Sequence, residues 1–61
     1  MKKYWSNNAE LTEILVNAGF QLTCNEDMDI IVSDEDAKQI DLYVSEQAPS
    51  AIGDYGFEDY E

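Results

Sequence analysis

The sequence predicts an α+β domain: an N-terminal helix packed on a short antiparallel hairpin, then a second helix and an acidic, aromatic C-terminal tail. Three observations carry this. Apolar residues recur at helical spacing within residues 6–20. They alternate at strand spacing within residues 20–32. A capped run from Ser33 then ends at Pro49.

The first helix reads from "SNNAELTEILVNAGF". Leu11, Ile14, Leu15 and Ala18 fall at i, i+3, i+4 and i+7 and make one apolar stripe. Asn7 is placed to cap it, with Glu10 three residues on as the reaching acid of a capping box. Glu10 and Glu13 lie toward the N-terminal end, where the helix dipole favours acids. Gly19 suits the left-handed position after the helix, with Phe20 folding back on Leu15.

The hairpin reads from "FQLTCNEDMDIIVS". Phe20, Leu22 and Cys24 alternate with Gln21 and Thr23; Met28, Ile30 and Val32 alternate with Asp29 and Ile31. "NED" between them is turn-like. The face bearing Phe20, Leu22, Met28, Ile30 and Val32 is expected to pack on the first helix. Ile31 then points the other way and needs a cover, for which the tail is one candidate. Cys24 reads as a small buried hydrophobe.

"SDEDAKQIDLYVSEQAP" admits two readings. As a helix it is capped by Ser33, with Asp36 completing the box and three acids at the positive end of the dipole. Ala37, Ile40, Val44 and Ala48 form its stripe, and Pro49 stops it. As a strand, Ile40, Leu42 and Val44 alternate with Asp41, Tyr43 and Ser45, giving a three-stranded meander. Capping and termination favour the helix, which leaves Leu42 exposed. Residues 50–61 have no clean period. They read as a frayed terminus or as an ordered tail whose Ile52, Tyr55, Phe57 and Tyr60 either lie on the hairpin's outer face or project toward a partner.

Size and charge bound the function. The 61 residues make one domain, 1–61. A domain of this size buries only about 60% of the surface its unfolded chain exposes. Its one cysteine and missing histidine rule out an internal disulfide and a Cys/His zinc site. A lone thiol suits a reducing cytoplasm, and neither a secretory h-region nor a membrane-length apolar run is present in the sequence. Fourteen acids against three bases give a net charge of −11, beyond the roughly 2–8 that keeps a small domain soluble. Such a field repels nucleic acid and anionic membrane and attracts a basic protein surface.

Catalytic chemistry finds no foothold. Histidine and arginine are absent, and the glycines match neither a P-loop nor a dinucleotide fingerprint. Paired carboxylates need an enclosing cleft to part their pKa values, and a domain this small is poorly placed to build one. An EF-hand count from Asp34 fails at Lys38, Gln39 and Ser45; a count from Asp27 fails at Ile31. No cofactor or metal is expected. Three lysines do not neutralise a run of phosphates, so direct nucleic-acid binding is not expected either.

What remains is the acidity itself. Arginine pairs with carboxylate as it does with phosphate, and aromatic rings insert where bases would stack. Three clusters are candidate contacts: the loop acids Glu26, Asp27 and Asp29; the helix start Asp34, Glu35 and Asp36; and the tail, with Asp54, Glu58, Asp59 and Glu61 interleaved with Tyr55, Phe57 and Tyr60. A second class of function, a small acidic adaptor or regulator, would instead dock through Leu42, Ile31 or the aromatic tail.

In length, acidity, missing histidine and folded composition, the whole chain resembles the small acidic inhibitors carried by phages and mobile elements. DNA-mimic anti-restriction proteins and anti-CRISPR proteins are among them. The resemblance implies a stoichiometric inhibitor, acting in the host cytoplasm, that blocks the nucleic-acid channel of a CRISPR effector or restriction enzyme.

Overall fold

A computed structural model describes residues 1–60. It is α+β, with strand β1 (Lys2–Ser6), helix α1 (Ala9–Asn17), strand β2 (Ile30–Val32), helix α2 (Asp34–Gln47), a 3-10 turn (Pro49–Ala51) and strand β3 (Tyr55–Asp59). The strands form one antiparallel sheet in the order β2-β1-β3. The radius of gyration, 10.7 Å, is that of a compact chain of this length.

The central strand is one of two elements the sequence reading missed. "KKYWS" has a single inward apolar residue, so its alternation is weak: Tyr4 is buried while Trp5 faces out. Its neighbours fix it. Lys2, Lys3 and Tyr4 pair with Val32, Ile31 and Ile30 on one side and with Asp59, Glu58 and Phe57 on the other. Both lysines thereby meet acids of β3: Lys2 bonds Asp59, and Lys3 Nζ lies 3.3 Å from Glu58.

The C-terminal segment is therefore no tail. Residues 55–59 are a sheet strand, and Tyr55 and Phe57 lean onto Tyr4, with ring centroids 6.4 and 5.8 Å away. They do not cover Ile31, which lies in β2 on the far side of β1. Gly53, at φ 98°, turns the chain into the strand in a backbone region that side chains with a Cβ rarely adopt.

The first helix starts one residue later than the spacing suggests. Asn8 is the cap, its Oδ1 accepting the Leu11 N–H at 3.2 Å. The Asn7 N–H donates to the Asp54 carbonyl (3.0 Å), extending the link between β1 and β3 and taking the donor that the Glu10 carboxylate would bond in a capping box. Residue N3 is then Leu11, and the Asn7–Glu10 capping box does not form. The expected close does form. Gly19 sits at φ 105°, its N–H donates to Val16, and the Phe20 N–H donates to Leu15 (3.1 Å). Leu11 and Leu15 are buried, whereas Ala18 ends the helix exposed rather than joining the stripe.

The hairpin survives in reduced form. Its first arm makes one bridge, Cys24 to Ile30, and residues 20–23 form no strand. Ile30 also pairs with Tyr4, so β1 flanks β2 on the side opposite the Cys24 bridge. Cys24 and Met28 are exposed, against expectation; Phe20, Leu22 and Ile30 do pack on the core. The turn is tied by Asn25, whose Oδ1 accepts the N–H groups of Asp27 (2.9 Å) and Asp29 (3.0 Å).

The second helix forms as capping and termination require. Ser33 Oγ accepts the Asp36 N–H at 3.1 Å, and Ala37, Ile40 and Val44 are buried. Leu42 is 58% exposed, the signature that separates this helix from the strand alternative. The core is Tyr4, Leu11, Leu15, Ile40, Val44 and Ala51. Inward residues of the sheet and the buried stripes of both helices meet there, so one sheet face is covered and the face bearing Trp5 is open.

Candidate partner-binding surface

The topology divides the acids into two groups with different electrostatics. On the β3 side, Asp59 and Glu58 are held by Lys2 and Lys3. The hydrogen bond and charge of Asp59 raise the Lys2 pKa, and Lys2 lowers that of Asp59 by the same bond. The Asp54 carboxylate reaches Asn8 Nδ2 at 3.4 Å, and its carbonyl accepts from Asn7 and Ser6. Tyr55 donates to Asp41 at 2.6 Å; burial, then that bond and charge, push its pKa far up. Tyr55 and Phe57 are thus core-facing residues, not projecting anchors. Tyr60 is half-buried, with its N–H on the Met1 carbonyl (3.1 Å). Glu61 lies outside the described residues.

On the β2 side, among the described residues, all the candidate acids but Asp34 are without an ion pair. Glu26, Asp27 and Asp29 belong to the turn entering β2, and Asp34, Glu35 and Asp36 to the first turn of α2 leaving it. The three-residue strand between the two clusters is roughly 10 Å long. Asp34 meets the N-terminal ammonium at 3.2 Å. Among the described residues, Glu26, Asp27, Asp29, Glu35 and Asp36 form no ion pair within 4 Å. All but the half-exposed Asp29 are exposed. Each cluster has a local reason for its place: Asn25 folds the loop, and the α2 dipole favours acids at its start.

Sequence reasoning therefore overestimated the tail and overlooked Trp5. The indole lies on the open sheet face, 43% exposed, against the backbone of Gly56 in β3. The signal was the pairing of a bulky outward ring with a strand glycine, which is visible only once the register is known. Met28 was also missed as a displayed residue. It is 79% exposed in the acidic turn at φ 67°, a conformation costly for a residue with a Cβ.

Among the described residues no pocket is formed, and no group of three or more potential ligand side chains gathers as a metal site. No helix among them is long and apolar enough to cross a membrane. The arrangement offers a convex, charged surface rather than a cleft. No protein-family model, curated protein sequence or solved structure matches the chain.

Proposed function

We propose that this protein is a non-catalytic inhibitor that sets an acidic surface into the nucleic-acid-binding site of a basic protein. A host defence component, a CRISPR effector or restriction enzyme, is the favoured target, and the host cytoplasm is the place of action. The observation that carries the reading is the set of unpaired acids flanking β2: Glu26, Asp27 and Asp29 at one end, Glu35 and Asp36 at the other. The backbone beneath these charges is tied by Asn25 in the turn and by the Ser33 cap at the helix start, so opposing them to arginines and lysines costs less ordering than on an unfolded chain. Long-range attraction speeds encounter, and bidentate arginine–carboxylate bonds fix the docked pose. The acids of β3 contribute mainly to the general field, because Lys2 and Lys3 already engage them.

The test is capture of partners from a host lysate on immobilised protein, with and without a DNA or RNA competitor. Nucleic acid should release the captured protein. Replacing Glu26, Asp27 and Asp29 by lysine, or separately Glu35 and Asp36, should weaken capture without unfolding the domain. Retention of the partner under excess nucleic acid, with both reversals silent, would refute the proposal.

The adaptor reading has one specific support, the exposure of Leu42. Salt separates the two: an apolar interface keeps most of its affinity at high ionic strength, and a charge-led one loses it.

A further inference from the structure

We propose that Trp5 is a stacking platform for an arginine side chain of the basic partner. The inference rests on the polyanion reading above and adds a specific anchor to it.

Trp5 is the chain's one tryptophan. It stands on the sheet face that neither helix covers. One side of its indole is spoken for: a Cβ on Gly56 would lie 2.7 Å from Nε1 and Cζ2. The ring therefore rests on bare backbone on one side, while 43% of the residue stays in water. An aromatic that served only to cover the glycine would be complete with that contact, so the exposed remainder is surface on offer.

Charge selects the occupant. A nucleobase would bring phosphates into the field of a chain with net charge −11, which repels them. A cation is drawn in. On the Trp5 face, Lys3 is already neutralised by Glu58 at 3.3 Å, so it does not oppose one. Beyond the Tyr4–Ile30 pair, the next residue of the β2 arm is Asp29, and the β1–β2 register carries it to the Trp5 end of the sheet. The carboxylate that the register brings nearest to a cation over the indole is thus that of Asp29, which forms no ion pair within 4 Å among the described residues. Between the two basic side chains, arginine fits better. Its guanidinium is planar, weakly hydrated and stacks on aromatic faces while its N–H groups bond carboxylates; the lysine ammonium holds its water more tightly.

Because the tryptophan is single, its fluorescence reports the contact directly. The intact protein is titrated with nona-arginine and with nona-lysine, binding being followed in parallel by calorimetry. Nona-arginine should shift and quench the Trp5 emission, and nona-lysine should bind with much less change. Trp5→Leu, which still covers Gly56, should weaken nona-arginine binding about two- to five-fold and leave nona-lysine unchanged. Equal binding of both peptides with unmoved emission overturns the inference and leaves the polyanion reading standing. Failure of both peptides to bind at low salt overturns both readings. Emission that depends on protein concentration without peptide would assign the face to a second copy and also overturn it. The wild-type titration stands on its own should Trp5→Leu fold poorly.

Discussion

Trp5 and Gly56 face each other across the β1–β3 ladder so closely that the indole occupies the space of the missing Cβ. Gly56→Ala should push the ring off the sheet. The expected cost is about 1 kcal/mol, at the low end for overpacking because the half-exposed ring is free to swing outward. Chemical denaturation gives the loss, and Trp5 emission should shift to the red in the native state. An unchanged spectrum would mean that the ring does not rest there.

Tyr55 should give the fold an alkaline limit. Its pKa is raised above the ordinary 10.0, by burial first and then by the bond to Asp41. The folded state therefore holds the proton more tightly than the unfolded state does. The resulting stability is fully present below pH 10 and is lost as pH rises toward the folded pKa. Tyr55→Phe should flatten that alkaline slope relative to wild type, while costing about 0.5–1.5 kcal/mol at neutral pH through the lost hydrogen bond. Urea midpoints at pH 7 and pH 11 measure both effects.

Ending the chain after Asp54 distinguishes a strand from a tail. The truncation removes Tyr55 and Phe57 from beside Tyr4 and strips the acids from Lys2 and Lys3. In a domain this small the expected result is loss of the cooperative unfolding transition. A truncated chain that melts like the full one would show β3 to be dispensable.

Met28→Gly should stabilise the protein. Relief of the left-handed conformation, about 1–2 kcal/mol, outweighs the extra freedom glycine adds to the unfolded chain, about 0.5–1 kcal/mol. Met28 is too exposed to lose much packing. A net gain of about 0.5–1 kcal/mol in thermal or urea unfolding is expected; a loss would mean that the side chain contributes contacts of its own.

The legible parts of the fold were those specified locally. The stripe of Leu11 and Leu15, the glycine close at Gly19, the cap at Ser33 and the stop at Pro49 are all encoded within a few residues of where they act. β1 and β3 were illegible because each depends on the other. Lys2 and Lys3 are unpromising strand residues until Asp59 and Glu58 stand opposite them, and the period of "YGFED" is blurred by the glycine that admits Trp5. Asn7 and Asn8 are equivalent caps by composition, and the choice between them falls to contacts beyond the helix: Asn7 with Asp54, and Asn8 with Ser6 and Asp54. The candidate site follows the same rule. The acids of the 25–29 turn and of the α2 start stood out in the sequence, but which acids would be neutralised from within depended on the strand order.

The most direct measurement is the affinity of the captured partner for this protein, in competition with nucleic acid, for the wild type and for the variant carrying lysine at 26, 27 and 29. Mutual exclusion with nucleic acid and at least a tenfold loss on reversal, about 1.4 kcal/mol, is the expected result. A partner that binds the protein and nucleic acid together, with unchanged affinity for the reversed loop, would contradict it.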